Sequence, residues 1–241
     1  MQTTTEKTVR EIAVENPSSV RVFESLGIDY CCGGKRPLSE ACAHANVDLE
    51  RVIGLLATAG RDDSKAPANE DWTTQPAGKL IAHIVETHHA YVRGEVPRVG
   101  ALLDKVAAKH GPTHPETAQI RDLFSAIGQE LSVHLLKEEL VLFPYIEQME
   151  QATLREASRP PAPFGSVGGP IANMLAEHDD AGAVLAQIRQ LSGGYQAPAD
   201  ACPTFLAAYL GLQEFERDLH HHIHLENNIL FPRALEMEKA F

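Results

Sequence analysis

A chain of 241 residues with 21 Lys and Arg against 33 Asp and Glu carries a net charge of −12, which argues against nucleic acid or an anionic membrane as its main partner. No apolar run approaches the roughly 20 residues needed to span a bilayer, and Met1-Gln-Thr-Thr-Thr-Glu-Lys7 holds no hydrophobic segment of a secretory signal, so a cytoplasmic location is expected. Four cysteines, two of them adjacent, do not form a secreted disulfide framework and suit a reducing compartment.

From about Thr8 to Ala59 the chain reads as short helices. Val9, Ile12 and Ala13 mark the first, which stops before Pro17; Ser18 or Ser19 can cap a second, with Val20, Phe23 and Leu26, closed by Gly27. After the turn Asp29-Tyr30-Cys31-Cys32-Gly33-Gly34, a third helix starts at Pro37 to Ser39 and Asp48 can cap a fourth. Residues 1–60 therefore form a small helical N-terminal domain, too thinly apolar to be securely stable alone. Residues 61–76, charged and with few apolar side chains, read as a linker.

Residues 77–241 carry four long helical patterns, roughly 77–109, 115–150, 168–192 and 200–237, separated by Gly- and Pro-containing loops. Long amphipathic helices with short loops predict an all-α protein built on an antiparallel four-helix bundle.

The bundle contains a repeat. His134-x-x-x-Glu138, followed by Leu142-Phe143-Pro144, returns 88 residues later as His222-x-x-x-Glu226, followed by Leu230-Phe231-Pro232. Positions i and i+4 share a helix face, so each imidazole and its carboxylate can point at one centre. Both pairs lie on apolar seams, one through Ile120, Phe124, Ile127, Leu131, His134, Glu138, Val141 and Tyr145, the other through Phe205, Ala208, Leu212, Phe215, Leu219, His222, Glu226 and Ile229. The first helix has a seam through Ala82, Val85, His89, Val92, Val96, Val99, Leu103 and Val106, which selects His89 and leaves His83 and His88 flanking or exposed. The third has Ile171, Met174, His178, Ala181, Leu185 and Ile188.

Four imidazoles and two carboxylates on inward faces are costly unless paired or bound to metal. The donor set fits iron, manganese or zinc. It suits two octahedral ions bridged by the two carboxylates, with room for an oxo or hydroxo bridge and an added ligand. Glu130 and Asp218, each four residues before a histidine of the repeat, are candidate acceptors for the outer N–H of His134 and His222, and Glu177 is a carboxylate that can line the approach.

These residues resemble the repair of iron centres family, bacterial di-iron proteins with a hemerythrin-like bundle and a small N-terminal domain. The resemblance covers nearly the whole chain and rests on Ile28-Asp29-Tyr30-Cys31-Cys32-Gly33-Gly34-Lys35, His134-x-x-x-Glu138 with Leu142-Phe143-Pro144, Glu177-His178-Asp179, and His222-x-x-x-Glu226-Asn227-Asn228 with Leu230-Phe231-Pro232-Arg233. It implies two iron ions held by His89, His134, Glu138, His178, His222 and Glu226, with Glu130 and Glu177 beside a channel to them. A second histidine at position 88 departs from the family pattern.

The resemblance also implies restoration of iron-sulfur clusters damaged by nitrosative or oxidative stress, with damaged iron-sulfur proteins as partners and the di-iron protein as iron donor. Cys31 and Cys32 would dock the client or handle iron; the plain alternative is a tight turn with one thiol buried. A competing reading is a di-iron module that binds nitric oxide or dioxygen for buffering, sensing or reduction, and oxidative chemistry ranks below both. Whether the protein is an enzyme, and whether it works as a monomer or a homodimer, stays open at this point.

Overall fold

The computed structural model describes residues 6–59 and 71–241. Four short helices open it: α1 (Val9–Glu15), α2 (Ser19–Leu26), α3 (Leu38–His44) and α4 (Leu49–Ala59). Thr8 and Glu11 form a reciprocal capping box at the start of α1, Gly27 closes α2 in the left-handed conformation at φ 67°, and Asp48 Oδ1 accepts from Arg51 N at 2.8 Å to start α4. The caps predicted at Gly27 and Asp48 are thus observed, whereas Ser18 makes no side-chain cap bond. Val9, Phe23, Ile28, Tyr30, Leu38, Val52 and Leu56 pack into a core that belongs to this unit.

The bundle follows as four rods. The first is α5 (Ala77–His83), a π-helical turn (Ile84–His89) and α6 (Ala90–His110). The second is α7 (Glu116–Lys137), a π-helical turn (Glu138–Leu142) and α8 (Phe143–Leu154). The third is α9 (Gly168–Leu191), and the fourth is α10 (Pro203–His224), a π-helical turn (Leu225–Leu230) and α11 (Phe231–Lys239). Around the ring, α6 lies beside α7 and α10, and α9 closes it against the same two helices. The only β feature among the described residues is one isolated bridge, Thr8 with Pro37, so the fold is all-α as expected.

The π-helical turns correct the seams. Each sits at a candidate ligand and inserts an extra residue into the helix, so the inward face slips by one position on passing through it. On the first rod the buried face runs Leu80, Ile81, Ile84 and His88 before the slip, then His89, Val92, Val99 and Leu103 after it. Ala82 is therefore exposed and His88 is buried, contrary to the uninterrupted reading. On the second rod Val141 turns outward and Leu142, Tyr145 and Ile146 turn in.

Two apolar layers fill the bundle. One centres on Val99, Leu103, Ile120, Phe124, Leu185, Phe205 and Phe215, the other on Leu80, Ile84, Phe143, Ile146, Ile171, Leu230 and Phe231. Burying each large side chain contributes about 1.5–3 kcal/mol, so the layers clamp the rods on both sides of the polar level between them.

The N-terminal unit docks on this scaffold. Arg10 Nη2 donates to Asn228 O at 3.2 Å, Asn228 Nδ2 donates to Tyr30 O at 2.9 Å, and His220 Nδ1 lies 2.9 Å from Glu24 Oε1. Cys31 itself packs among the first apolar layer of the bundle. The predicted linker falls partly on residues 60–70, outside the described residues; residues 71–76 pack on the bundle, where Trp72 stacks on His83 at 4.5 Å and Arg233 Nη1 donates to Trp72 O at 3.1 Å.

Candidate metal centre

All six predicted ligands converge at the level between the apolar layers, each from zero to three per cent exposed. They form two overlapping groups whose ligand atoms lie within 4.8 Å of one another: His89, Glu138, His222 and Glu226 in one, His134, Glu138, His178 and Glu226 in the other. Both carboxylates are common to both groups. Glu138 Oε2 lies 3.5 Å from His89 Nε2 and its Oε1 3.3 Å from His134 Nε2; Glu226 Oε1 lies 3.1 Å from His222 Nε2 and its Oε2 3.1 Å from His178 Nε2. Facing Nε2 atoms are 3.2 Å apart in the His89 and His222 pair and 3.1 Å apart in the His134 and His178 pair.

The outer ring nitrogens determine what these contacts mean. His89 Nδ1 is 2.6 Å from Glu139 Oε1, His134 Nδ1 is 2.7 Å from Glu177 Oε2, and His178 Nδ1 is 2.7 Å from Asn227 Oδ1. Carboxylate and amide oxygens only accept, so in each case Nδ1–H donates and Nε2 is left as the ring's lone pair, open to a proton or a cation. Several such lone pairs aimed at one another beside two buried carboxylates repel unless a positive charge lies among them. Both oxygens of Glu138 and Oε2 of Glu226 are buried without a hydrogen-bond partner. Cation binding among these two groups of imidazoles and carboxylates would satisfy these atoms.

Without a cation, the two buried carboxylates draw protons onto the facing imidazoles in its place. Burial disfavours charge on His134, yet hydrogen bonding to Glu138, the Glu138 and Glu226 charges and Glu177 push it up to about 9; His89 is raised by a similar set against the same opposition. Burial opposes the Glu226 anion too, but His222 and His178 hold its carboxyl well below the usual range. Phe143 stacks on His89 at 5.7 Å and Phe231 on His178 at 6.1 Å, so aromatic rings wall the site.

The outer partners differ from those expected. Glu130 is exposed, and the carboxylate on His134 is Glu177, brought across from α9 and itself paired with Lys137. Asp218 does not reach His222: its Oδ1 lies 3.0 Å from His88 Nδ1. A residue four positions earlier on the same helix sits a turn away from the ring's outer edge, whereas a facing helix approaches that edge directly. Glu139 and Asn227 take these outer positions on His89 and His178; they directly follow Glu138 and Glu226 and stand 88 residues apart like the ligands, so the repeat extends to them.

Cys31 and Cys32 lie beside the centre. Asp29 Oδ1 accepts from Cys31 N at 3.1 Å and Cys32 N at 3.0 Å, and Oδ2 from Gly33 N at 2.9 Å, which pins the turn. A Cβ at Gly34 would stand 2.7 Å from Tyr30 O, so this position requires glycine. The two Sγ atoms are 3.8 Å apart as free thiols, Cys31 is buried, and Cys32 Sγ donates to His178 O at 3.4 Å. The turn and the buried thiol of the plain reading are both present, and the pair also touches the backbone of a candidate ligand.

Four helices that present four histidines and two shared glutamates to one buried level define a cation-binding bundle of the hemerythrin type. Residues 80–234 match the hemerythrin HHE cation binding domain, and residues 5–59 match ScdA_N, a domain of unknown function. The chain is 36% identical over 234 residues to the iron-sulfur cluster repair protein YtfE of Musicola paradisiaca, covering 97% of this chain and 98% of the relative. It is likewise 36% identical over 229 residues to the protein of the same name from Citrobacter koseri, covering 95% and 96%. The chain belongs to the family of hemerythrin-type iron-sulfur cluster repair proteins. No helix among the described residues is long and apolar enough to cross a membrane.

Proposed function

We propose that this protein holds two iron ions between its four bundle helices and supplies iron to damaged iron-sulfur clusters on other proteins. His89 and His222 would hold one ion, His134 and His178 the other, with Glu138 and Glu226 shared. The observation that carries the reading is the pair of overlapping four-residue groups sharing both carboxylates. The names of the relatives supply the repair context. Iron bound there would offer labile metal and open coordination positions; the chain's own residues set the geometry, exclude water and fix the tautomers of His89, His134 and His178.

Glu177, with a side chain 37% exposed, connects His134 to the surface and is assigned the approach side, while Glu130 stands on the same helix as His134, exposed to solvent. Cys31 and Cys32 are assigned to client docking or iron handling, because they place the Cys32 thiol against the backbone of His178 with the Cys31 thiol 3.8 Å behind it.

Transfer of labelled iron tests the reading. The loaded protein is mixed with an iron-sulfur enzyme whose cluster nitric oxide has damaged, and label in the rebuilt cluster with returning activity is the expected result. Label that stays in the bundle while activity fails to return would overturn it. The Cys31→Ala, Cys32→Ala double variant is expected to keep bundle iron and lose repair.

A second reading, nitric oxide binding in a cytoplasmic stress response, is favoured by one observation. Four protein donors per ion leave octahedral positions unfilled, and Phe143 and Phe231 make the surroundings suited to a small uncharged ligand. Nitric oxide retained by the loaded protein, with no label passing to the client, would favour this reading.

A further inference from the structure

The two halves of the bundle are related by the 88-residue repeat, and the outer partners follow it: Glu139 serves His89 as Asn227 serves His178. One position breaks the relation. The outer edge of His134 is met by Glu177, the residue immediately before His178. The equivalent residue before His89 is His88, and instead of hydrogen-bonding His222 it stacks flat on it, with centroids 5.6 Å apart and planes 2° apart. His222 is thus the one candidate ligand histidine whose outer nitrogen is buried without a partner.

His88 has the features of a ligand itself. It is 2% exposed, its Nδ1–H is held by Asp218 at 3.0 Å, and its Nε2 is a buried lone pair with no partner. A carboxylate behind one ring nitrogen and a bare lone pair at the other is the usual arrangement of a metal-binding histidine. His221 stands edge-on to it at 5.1 Å and His83 at 5.7 Å, spacings close to the 4.9 Å of His89 and His222. The His88 neighbours Asp218, His221 and His83 line a cavity of about 1150 Å³ between the N-terminal unit and the bundle, together with Glu214 and Trp72.

We propose that His88, backed by Asp218 and facing His221, is an auxiliary divalent-cation site through which the ion on His89 and His222 exchanges with the cavity, while the ion on His134 and His178 stays in place. The inference rests on the two-ion reading above and does not require delivery to a client. The ion beside the unbraced imidazole is the less firmly held, and the outward step from it is a neighbouring imidazole rather than water.

Two measurements test this on the full chain loaded with two irons. Removal by a ferrous chelator is expected to be biphasic, one iron per phase, and His221→Gln or Asp218→Asn should slow the fast phase by about tenfold and leave the slow phase alone. Titration of the loaded protein with Co²⁺ should show one further imidazole-bound ion, lost in His88→Ala. If His88→Ala fails to hold two irons, His221→Gln, which alters a ring exposed to the cavity, carries the titration instead. Release of both irons at one rate, an unchanged fast phase in both variants, or no third ion in the parent protein would each overturn the proposal. Failure of cluster repair with biphasic release intact would refute the donor reading and leave this one standing.

Discussion

Replacing Glu138 by leucine separates what the carboxylate does for the centre from what it does for the fold. Glu138 is fully buried, spans both histidine pairs at 3.5 and 3.3 Å, and has neither oxygen hydrogen-bonded. A cation that binds only the folded state adds about 2.7 kcal/mol at one hundred times its dissociation constant, so two ions add about 5 kcal/mol. At about 2–4 °C per kcal/mol for a chain of this size, loading should raise the parent melting temperature by about 10–20 °C.

Leucine has a similar volume and strands no charge, because His134, raised to about 9 by Glu138 first among its attractive partners, can shed its proton once that anion is gone. Replacing a buried ionic group by a packed apolar one is often neutral or stabilising. Glu138→Leu is therefore expected to keep or raise the melting temperature of the metal-free protein and to abolish most of the loading shift. Scanning calorimetry with and without ferrous ion, beside iron analysis, reads both quantities. A variant that loses metal-free stability yet retains two irons and the full shift would refute the argument, since Glu138 would then be structural and not a bridge.

Other outcomes follow from single contacts. Glu139→Gln weakens the acceptor on His89 Nδ1 and should cost about 10–100-fold in metal affinity, measured by competition with a chelator. Cys202 caps α10 and lies 3.3 Å from His110 Nε2, a hydrogen bond that, with Phe205 N, brings its thiol down to about 7. Its alkylation rate should climb as pH rises through 7 and the thiolate fraction grows, and His110→Ala should move that rise to higher pH; Cys31, buried and raised by its bond to Cys32, should stay unreactive in mass-spectrometric mapping. A Cβ at Gly128 would meet Val96 Cγ1 at 2.7 Å between α6 and α7, so Gly128→Ala should lower stability by about 1 kcal/mol net of its helix propensity, whereas Gly94→Ala, with nothing within 4 Å, should raise it by a similar amount in denaturant titrations.

Four of the six candidate ligands were legible because an i, i+4 pair on an apolar seam is a local pattern, and a duplicated pattern 88 residues on is hard to mistake; His89 and His178 were legible as the histidines on the apolar seams of the other two helices. The four helices and the fold class were legible for the same reason. What misled was the assumption of an unbroken 3.6-residue period. The Leu-Phe-Pro that follows both glutamates marks where a π-helical turn ends and Phe143 or Phe231 starts the next helix, with proline near its first turn, where the missing N–H costs nothing. Read as punctuation, it would have turned Val141 outward. His88 carried no such signal, since a seam through Val85 and Val92 has room for one histidine and the slip that buries two is invisible in spacing alone.

Sequence by itself determined the helices, the repeat and the donor types, because these depend on residues within a turn or two of one another. Tertiary structure alone decided which group meets each outer ring nitrogen: Glu139 reaches from the second rod to His89, Glu177 from the third to His134, and no group among the described residues hydrogen-bonds Nδ1 of His222. It also decided that the Cys32 thiol rests against His178 O and that a cavity opens at His221 and Asp218, which pack on His88. Contacts between helices depend on how rods cross and slide, and the packing of two apolar layers sets that arrangement rather than any spacing along the chain.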